Sequence, residues 1–600
     1  MTTKCNDLKD NMQNTPFLVE KVCHAKVHET DYYQTIYRFT RLGDEICHMA
    51  MSVSDGSDPK KVLSSLQNAG AKGGDLAKFV SAVAKSASTE VNTQGMIVMR
   101  GGWLPDGRSF ALPESVLKNT RTSDAQEHRF FLAPSFDLKR DWQLVTSSGE
   151  KTTGEAHLAV KGSSKEWKLN VAEPALNSSH MMVGICAALA APLLKPKGLE
   201  PFGILYSGDT STGKTSCTLV AGSVIGIGNA SKLWHWHATA AGLEQLTELH
   251  ADTLLPIDDI ANVSAKPSEI YNAVVENAYR WSSGGTKRTN TKAKSNITGR
   301  PVLSGFKTIV ITSHEKSLEQ IAREAKKAIN AGVLPRFLEI PVEPSVNGGV
   351  FDRLNAMNPG DDLVARCGAL ADKIKSACSH YHGQIFIDWL NLVIQDLPAT
   401  VKDVSAGSAE FLEHACFKND SGLEKRHVDR FAFLYGVGRH AIRNDILPWT
   451  EKQLLSAMLK VHGASRETIR QSTKNDHLTA AQQRLWSLLK DSSRVVGAST
   501  IGDGKAFEGW YRVSARKVAV FVSGRSWREV FDSSLQRDTF EAFLLDKGVL
   551  KTPGSIDLHQ PRLPKGKGKF KRSVELVFAL NAKRKAVKPY QPDSRAEPAA

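Results

Sequence analysis

The chain has 600 residues and carries 78 Lys and Arg side chains against 63 Asp and Glu, which gives a formal charge of +15. Hydrophobic residues make up 41% of the sequence and charged residues 24%, proportions that exclude a mainly disordered chain, a coiled coil and a collagen-like repeat. The most apolar stretch, residues 181–194, is too short to cross a bilayer as a helix, and residues 1–10 lack an apolar signal core. We therefore expect a cytoplasmic protein with no membrane partner, and the positive charge is a first indication of a polyanionic partner.

The N-terminal quarter combines strand and helix patterns. Residues 23–39 alternate loosely with a period of two, which predicts paired strands, and residues 60–88 predict a helical region with a break at its glycines. Short strands are predicted at 96–100 and 109–112, on either side of a Pro-Asp-Gly turn. These patterns indicate a small mixed α+β domain over residues 1–160.

The middle of the chain changes character after this region. Residues 177–191 predict an Ala-rich helix that is stopped by a proline. Strand and helix signals then alternate over residues 200–345, a pattern typical of βα units around a parallel sheet. Residues 365–470 are mostly helical, so a helical lid or bundle is expected to follow the sheet.

The most specific motif is a glycine-rich loop with the pattern G-x-x-x-x-G-K-T. It follows an apolar strand at 202–206 and precedes a helical run at 216–223. The glycines let backbone N–H groups point at phosphate, and the helix N-terminus adds partial positive charge. Lys214 would reach the β- and γ-phosphates of ATP, and Thr215 would bind Mg²⁺. The predicted nucleotide-contacting residues are Gly208, Asp209, Thr210, Ser211, Thr212, Gly213, Lys214, Thr215 and Ser216.

A loop of this kind predicts an acidic strand downstream, and residues 253–259 supply one about forty residues later. Asp258 ends the apolar run, where a carboxylate that holds Mg²⁺ is expected. Asp259 would act as the general base that polarises the attacking water, although Glu is the commoner residue at this position. An apolar strand that ends in two Asp is often only a strand boundary, and it is the pairing with the glycine-rich loop that favours catalysis.

A third strand, residues 307–315, would lie between the first two in a P-loop core with an additional strand. Its polar end would approach the γ-phosphate, where Ser313 or Thr312 could orient the water with Glu315 nearby. A capped strand-to-helix turn explains each of these residues equally well.

Arg336 precedes the next predicted strand. An arginine at this place fits an arginine finger that reaches the nucleotide of a neighbouring subunit. The alternative is an ordinary surface charge, which is the usual role of a single arginine.

Taken together, the motifs resemble the DUF927 family of P-loop ATPases, found in phages and mobile elements. The resemblance covers roughly residues 90–450. The sequence departs from the family at residues 209–212, where paired serines are more usual, and at Asp259, where Glu is usual. It departs again at residues 312–315, where the family tends to have Gly before Glu. The matching pieces are residues 103–113, 162–168, 177–194, 208–215, 236–244, 254–260, 279–288 and 430–432.

The resemblance implies an AAA+-like core. Members carried by staphylococcal cassette elements resemble self-loading, MCM-like hexameric replicative helicases. By this analogy the chain would form a homohexameric ring, hydrolyse ATP at its subunit interfaces and translocate on DNA.

A basic, glycine-hinged loop at residues 284–294 separates the acidic strand from the third strand. In ring motors, loops from this region point into the pore, where Lys287, Arg288 and Lys292 would contact phosphates without reading sequence. The alternative is an exposed, flexible basic loop that binds nothing.

The C-terminal region suggests a winged helix. Helices are predicted at 480–489 and 532–548, followed by short strands that end at 574–580. A basic wing between those strands suits contact with phosphates, although a solvated charge run is the common alternative. The candidate wing contacts are Lys565, Lys567, Lys569, Lys571 and Arg572. The aromatic residues expected in the core rather than stacked on bases are Trp510, Tyr511 and Trp527.

The predicted fold class is α/β, with a P-loop, AAA+-like core around a parallel sheet. The predicted domains are the mixed α+β domain at 1–160, the ATPase core at 161–365, the helical lid at 366–475, the winged-helix-like domain at 476–582 and a disordered basic tail at 583–600.

Three functional hypotheses follow from the sequence. The leading one is an ATP-dependent helicase or translocase that acts on single-stranded or forked DNA in the replication of a phage or mobile element. The alternative keeps the ATPase but makes it a loader or remodeller of a replication complex, without unwinding. A DNA-binding scaffold with a degenerate nucleotide site is opposed by the intact Lys214, Thr215 and Asp258.

Overall fold

A computed structural model of the chain falls into two compact units, Met1–Thr468 and Ile469–Ala600. The residues that the structure describes are 18–27, 33–41, 46–72, 76–91, 94–98, 101–112, 115–119, 129–132, 144–145, 159–236, 240–264, 266–282, 307–327, 332–354, 362–417, 420–501, 507–514, 517–531, 534–551 and 573–579.

The first unit begins with a six-stranded sheet that carries two helices. Strand order in this sheet is β8-β4-β1-β2-β3-β9, and β1 pairs antiparallel with β2 and parallel with β4. Tyr37, Phe39, Val62 and Phe79 form its buried core. The predicted paired strands and interrupted helical region are confirmed. The elements are β1 (Val19–Val27), β2 (Tyr33–Thr40), β3 (Ile46–Ser52), α1 (Pro59–Asn68), α2 (Leu76–Ser88) and β4 (Gln94–Val98), with β5 (Gly102–Trp103), β6 (Ser109–Leu112), β7 (Ser115–Lys118), β8 (Arg129–Leu132) and β9 (Leu144–Val145) following.

Strands β5, β6 and β7 form a separate three-stranded sheet that packs on the large core of this unit. Trp103 meets Phe110 edge to face at 5.3 Å between ring centroids, and its indole N–H donates to the carbonyl of Pro192 at 2.6 Å. Asn119 likewise donates to the carbonyl of Ile394 at 2.9 Å. This small sheet is therefore held by hydrogen bonds as well as by apolar burial.

The centre of the first unit is a five-stranded sheet in the order β11-β12-β13-β10-β14. Every pairing within it is parallel. The predicted third strand, β13, lies between β10 and β12, which confirms the predicted arrangement of these three strands. The elements are α3 (Ser164–Trp167), α4 (Glu173–Ala175), α5 (Ser179–Ala190), β10 (Phe202–Ser207), α6 (Lys214–Ile225), β11 (Trp234–His235), α7 (Ala240–Leu249), β12 (Leu254–Asp258), α8 (Pro267–Ser282), β13 (Ile309–His314), α9 (Leu318–Glu324) and β14 (Phe337–Pro341).

The central sheet has a hydrophobic core on each face, and β10 is buried along its whole length. Such continuous apolar strands are typical of parallel sheets that are covered on both sides. Helix α5 is buried at all twelve positions and packs against α6. The predicted Ala-rich helix is thus a central element, and a 3₁₀ turn with Pro192 follows it.

Helices complete the first unit, as predicted for residues 365–470. Helix α13 packs against α12 and also against α5, which connects this bundle to the central core. Among the described residues, no helix is both long and apolar enough to span a membrane. The helices are α10 (Leu363–His380), α11 (Gln384–Gln395), α12 (Leu397–Ala415), α13 (Gly422–Arg443) and, up to residue 468, α14 (Glu451–Lys490).

The second unit contains a four-stranded sheet in the order β15-β16-β17-β18. Its core gathers Trp527, Phe540 and Leu544 against the sheet. The predicted strand near residues 574–580 is confirmed as β18, and the predicted helix near 532–548 is confirmed as α16. The elements are β15 (Val495–Gly497), β16 (Gly509–Val513), β17 (Lys517–Ser523), α15 (Gly524–Glu529), α16 (Ser534–Asp546) and β18 (Ser573–Ala579).

Two sequence predictions for this region are wrong. The helix predicted at 480–489 is not separate, because it is the C-terminal end of the 40-residue helix α14. Tyr511 lies outside the core with 38% of its surface exposed, whereas Trp510 and Trp527 are buried as expected. Tyr511 alternates with Trp510 along β16, so the two side chains point to opposite faces of the sheet. The winged-helix assignment stays a prediction.

Candidate functional site

The Gly208–Thr215 loop joins the carboxyl end of β10 to the start of α6, so the predicted strand–loop–helix context is confirmed. The backbone of Gly213 has φ +94°, a conformation that L side chains rarely adopt. A Cβ at Gly213 would lie 2.6 Å from Cγ2 of Val350, and one at Gly208 would lie 2.6 Å from the carbonyl oxygen of Val342. Both glycines are therefore required by the close approach of the neighbouring chain as well as by the turn itself.

Lys214 is held inside this loop with 8% of its surface exposed. Its Nζ donates to the carbonyl oxygen of Gly208 at 2.7 Å and also to the carbonyl of Asp209. Burial lowers the pKa of the ammonium group, although nearby carboxylates oppose that effect. The ammonium group thus lies where backbone oxygens surround it, and an anion such as a phosphate could replace these oxygens as its partner.

A segment that follows β14, residues 342–351, packs directly over the loop. The N–H of Val350 donates to the carbonyl of Thr212 at 3.0 Å, and Oγ of Ser345 donates to the carbonyl of Ser211 at 3.0 Å. Both bonds are accepted by carbonyl groups of the loop, so the segment supports the loop without using its N–H groups. Sequence reasoning missed this support, since nothing in residues 342–351 marks it.

Thr215 and Asp258, the two residues predicted to hold Mg²⁺, lie close together. Oγ1 of Thr215 donates to Oδ1 of Asp258 at 3.3 Å, across the space between α6 and the end of β12. Mg²⁺ takes oxygen ligands and usually keeps only one or two from protein, the rest coming from phosphate and water. A hydroxyl and a carboxylate fit that preference. Within the described ranges, no group of three or more His, Cys, Asp or Glu forms a fuller metal cluster.

Asp259 is paired with His314, the last residue of β13. Nδ1 of His314 lies 3.2 Å from Oδ1 of Asp259, and His314 is only 4% exposed. Burial raises the pKa of Asp259, but hydrogen bonds from His314 and from the N–H of Ala261 outweigh burial, so the net shift is downward. The carboxylate is therefore held charged and oriented. In the sequence His314 lies in a polar run, and nothing in that run distinguishes it from its neighbours.

The two candidates for orienting water face opposite sides of β13. Oγ1 of Thr312 accepts a hydrogen bond from the indole N–H of Trp236 at 2.8 Å, so this hydroxyl is engaged in the core. Ile309 and Ile311 face the core that contains α6, and the two-residue alternation puts Ser313 on that same face. Ser313 therefore remains the better candidate of the two.

Arg336 lies at the opposite edge of the sheet from the Gly208–Thr215 loop. Its carbonyl accepts from the N–H of Gly203 at 2.8 Å, at the amino end of β10, about 17 Å along the strands from the loop. Its Nε donates to Oγ of Ser282 at 2.7 Å, and its guanidinium lies 4.5 Å from the centroid of the Tyr279 ring. Arg336 thus lies too far from the Gly208–Thr215 loop to contact a group bound there.

The predicted DNA contacts lie outside the described residues. They are Lys287, Arg288, Lys292, Lys565, Lys567, Lys569, Lys571 and Arg572.

The fold and this arrangement define a mixed α/β protein with a parallel five-stranded sheet, compatible with a nucleotide-binding core. The sequence matches the family described as "Domain of unknown function (DUF927)" over residues 2–299. A comparison with curated proteins gives no match. Among solved structures, the one titled "SCCmec type IV Cch - active helicase" has a similar fold, with a TM-score of 0.56 and 15% sequence identity, and the match covers 94% of this chain and 93% of that chain.

Proposed function

We propose that this protein is an ATP-driven DNA helicase or translocase that works as a hexameric ring in the replication of a phage or mobile element. One observation carries the proposal. Five candidate residues lie together at the carboxyl edge of one parallel sheet, where its strands end. They are Lys214, the Thr215–Asp258 pair and the Asp259–His314 pair. In open α/β sheets this edge is where ligands bind.

Each pair has a role in ATP hydrolysis under this proposal. Lys214 would exchange its loop carbonyls for the β- and γ-phosphate oxygens, while Thr215 and Asp258 would hold Mg²⁺. Bound Mg²⁺ would neutralise charge on the phosphates. Asp259, oriented by His314, would accept a proton from the water that attacks the γ-phosphorus, as the bond to the leaving ADP oxygen breaks.

In a ring, Arg336 of a neighbouring subunit would supply a positive charge at the transferred phosphate. Because Arg336 lies at the amino edge, its partner phosphate would belong to the nucleotide of an adjacent subunit. Arg336 is also bonded to Ser282, which lies two residues before the basic loop at 284–294 in the sequence. This contact would be the route by which hydrolysis at the proposed finger moves DNA.

The similar fold of a structure titled as an active helicase supports unwinding over the loader alternative. The helicase title of that structure and the intact glycine-rich loop support an NTPase. The loader keeps the same nucleotide chemistry, so only a DNA-unwinding assay separates the two functions.

The experiment that tests the enzyme class is ATP hydrolysis with and without single-stranded DNA. We expect wild type to hydrolyse ATP faster with DNA, and Lys214→Ala to lose at least about a hundredfold in rate, because charge stabilisation at the transferred phosphate is lost. Lys232→Ala, an exposed lysine beyond α6, is the matched control and should keep full activity. Unchanged turnover in Lys214→Ala would refute the assignment of the loop.

A further inference from the structure

Glu339 is a buried carboxylate within the otherwise apolar strand β14. Only 2% of its surface is exposed, and it lies on the same face of β14 as Phe337, whose side chain belongs to the core that also contains Leu318. Burying an ionisable group in such surroundings is costly unless its hydrogen bonds are satisfied. Burial raises the pKa of Glu339 to about 7. The contacts that it makes should therefore explain why a carboxyl group stands here.

Its two oxygens bind two different ends of the candidate site. Oγ of Ser207 donates to Oε1 of Glu339 at 2.7 Å, and the N–H of Leu318 donates to Oε2 at 3.1 Å. Ser207 is the residue directly before the Gly208–Thr215 loop. Leu318 begins α9 and directly follows the turn formed by His314–Ser317. One carboxyl group therefore joins the start of the loop to the end of that turn.

A third bond closes the same arrangement from the other side. The N–H of Gly208 donates to the carbonyl of His314 at 3.2 Å. The turn is thus fixed to the loop at His314 directly, and at Leu318 through Glu339 and Ser207. Because the side chain of His314 lies 3.2 Å from Asp259, any movement of the turn would move the proposed general base.

The backbone of Glu339 is anchored as well. Its carbonyl oxygen accepts a hydrogen bond from Oγ of Ser465 in α14, and Ser465 in turn bonds to Nε2 of His427 in α13 at 2.7 Å. These helices fix the position of the strand residue, so the side chain acts from a rigid base.

We propose that Glu339 is a positioning residue for ATP hydrolysis, which sets the distance between the Gly208–Thr215 loop and the His314–Ser317 turn and so aligns Asp259. This inference rests on the proposed function. Nucleotide binding depends on Lys214 and on the backbone of the loop, neither of which Glu339 contacts. The residue therefore acts on the chemical step and leaves ATP affinity unchanged.

The test compares Glu339→Ala with Glu339→Gln in steady-state ATP hydrolysis by the full-length protein. We expect Glu339→Ala to lower kcat by at least about tenfold with KM for ATP within about twofold, since small misplacements of catalytic groups can cost far more. Glu339→Gln should keep most of the rate, because its amide can donate to Ser207 and accept from Leu318. Glu413→Ala, at an exposed position of helix α12, is the control and should behave as wild type.

Two outcomes would overturn the proposal: an unchanged kcat in Glu339→Ala, or a loss of kcat in Glu339→Gln as large as in Glu339→Ala. If Glu339→Ala does not fold, Ser207→Ala removes only one of the two bonds and should still lower kcat while sparing KM. Full activity of Ser207→Ala would then refute the proposal.

A second measurement separates this inference from the proposed function. Hydrogen exchange at the amide of Leu318 should be faster in Glu339→Ala than in wild type, and close to wild type in Glu339→Gln. If wild type hydrolyses no ATP, the proposed function fails, whereas unchanged exchange in Glu339→Ala would show that Glu339 does not hold the turn.

Discussion

The buried carboxyl group of Glu339 makes the stability of the first unit depend on pH in an unusual direction. Its pKa is raised by burial from 4.5 to about 7 in the folded chain. Between these values the folded state binds more protons than the unfolded state, so stability falls as pH rises. The shift corresponds to about 3 kcal/mol in full, of which about 2.5 kcal/mol is lost between pH 5 and pH 8.

Glu339→Gln removes this titration and keeps a neutral side chain of the same shape. The free energy of unfolding of the variant relative to wild type should therefore increase by about 2 to 3 kcal/mol from pH 5 to pH 8. Urea unfolding at several pH values, followed by a signal from the first unit, measures this difference. The exposed Glu343→Gln is the control and should show no such trend. A constant difference between Glu339→Gln and wild type across this range would show that Glu339 does not cause the pH dependence.

Three further predictions concern the proposed reaction cycle. His314→Ala should lower kcat by roughly tenfold or more with little change in KM for ATP, because the Asp259 carboxylate loses its orienting partner. A loss of ATP affinity as large as the loss of kcat, in a nucleotide-binding assay, would contradict this prediction. Arg336→Ala should hydrolyse ATP slowly but regain activity when it is mixed with Lys214→Ala, because some interfaces in a mixed ring combine a normal Lys214 with a normal Arg336. If titration of one variant into the other restores no activity, Arg336 does not act on the nucleotide of a neighbouring subunit. The double variant Lys287→Ala, Arg288→Ala should bind DNA more weakly and with a smaller salt dependence, while its affinity for ATP stays normal. Fluorescence anisotropy at several salt concentrations measures both affinities, and an equal loss of DNA and ATP affinity would indicate misfolding.

Much of the candidate site could be predicted because its parts are local in sequence. The glycine-rich loop carries its own strand and helix context, and the acidic pair ends an apolar run, so Lys214, Thr215, Asp258 and Asp259 were found without a structure. The position of β13 between its neighbours was also predictable, since the motifs imply one strand order. These features depend on short segments whose residue types admit few structures.

What could not be predicted depends on pairing between distant segments. His314 is one of four polar residues at the end of β13, and only the pairing of β13 with β12 determines which of them meets Asp259. Glu339 lies on β14, which is an edge strand. A charged residue on such a strand is expected to face solvent. Here α9 covers that face, so the charge is buried instead. Helix α14 runs through the polar residues 471–477, where the sequence pattern predicts a boundary between two domains.

We propose that ATP hydrolysis by this protein drives the separation of DNA strands. The most direct test is strand displacement on a forked duplex with ATP and Mg²⁺, with Lys214→Ala as the inactive control, over a range of salt concentrations. Displaced strand should accumulate with ATP in wild type and be absent in Lys214→Ala. DNA-stimulated ATP hydrolysis by wild type without displaced strand at any salt concentration would contradict this proposal and would favour the loader.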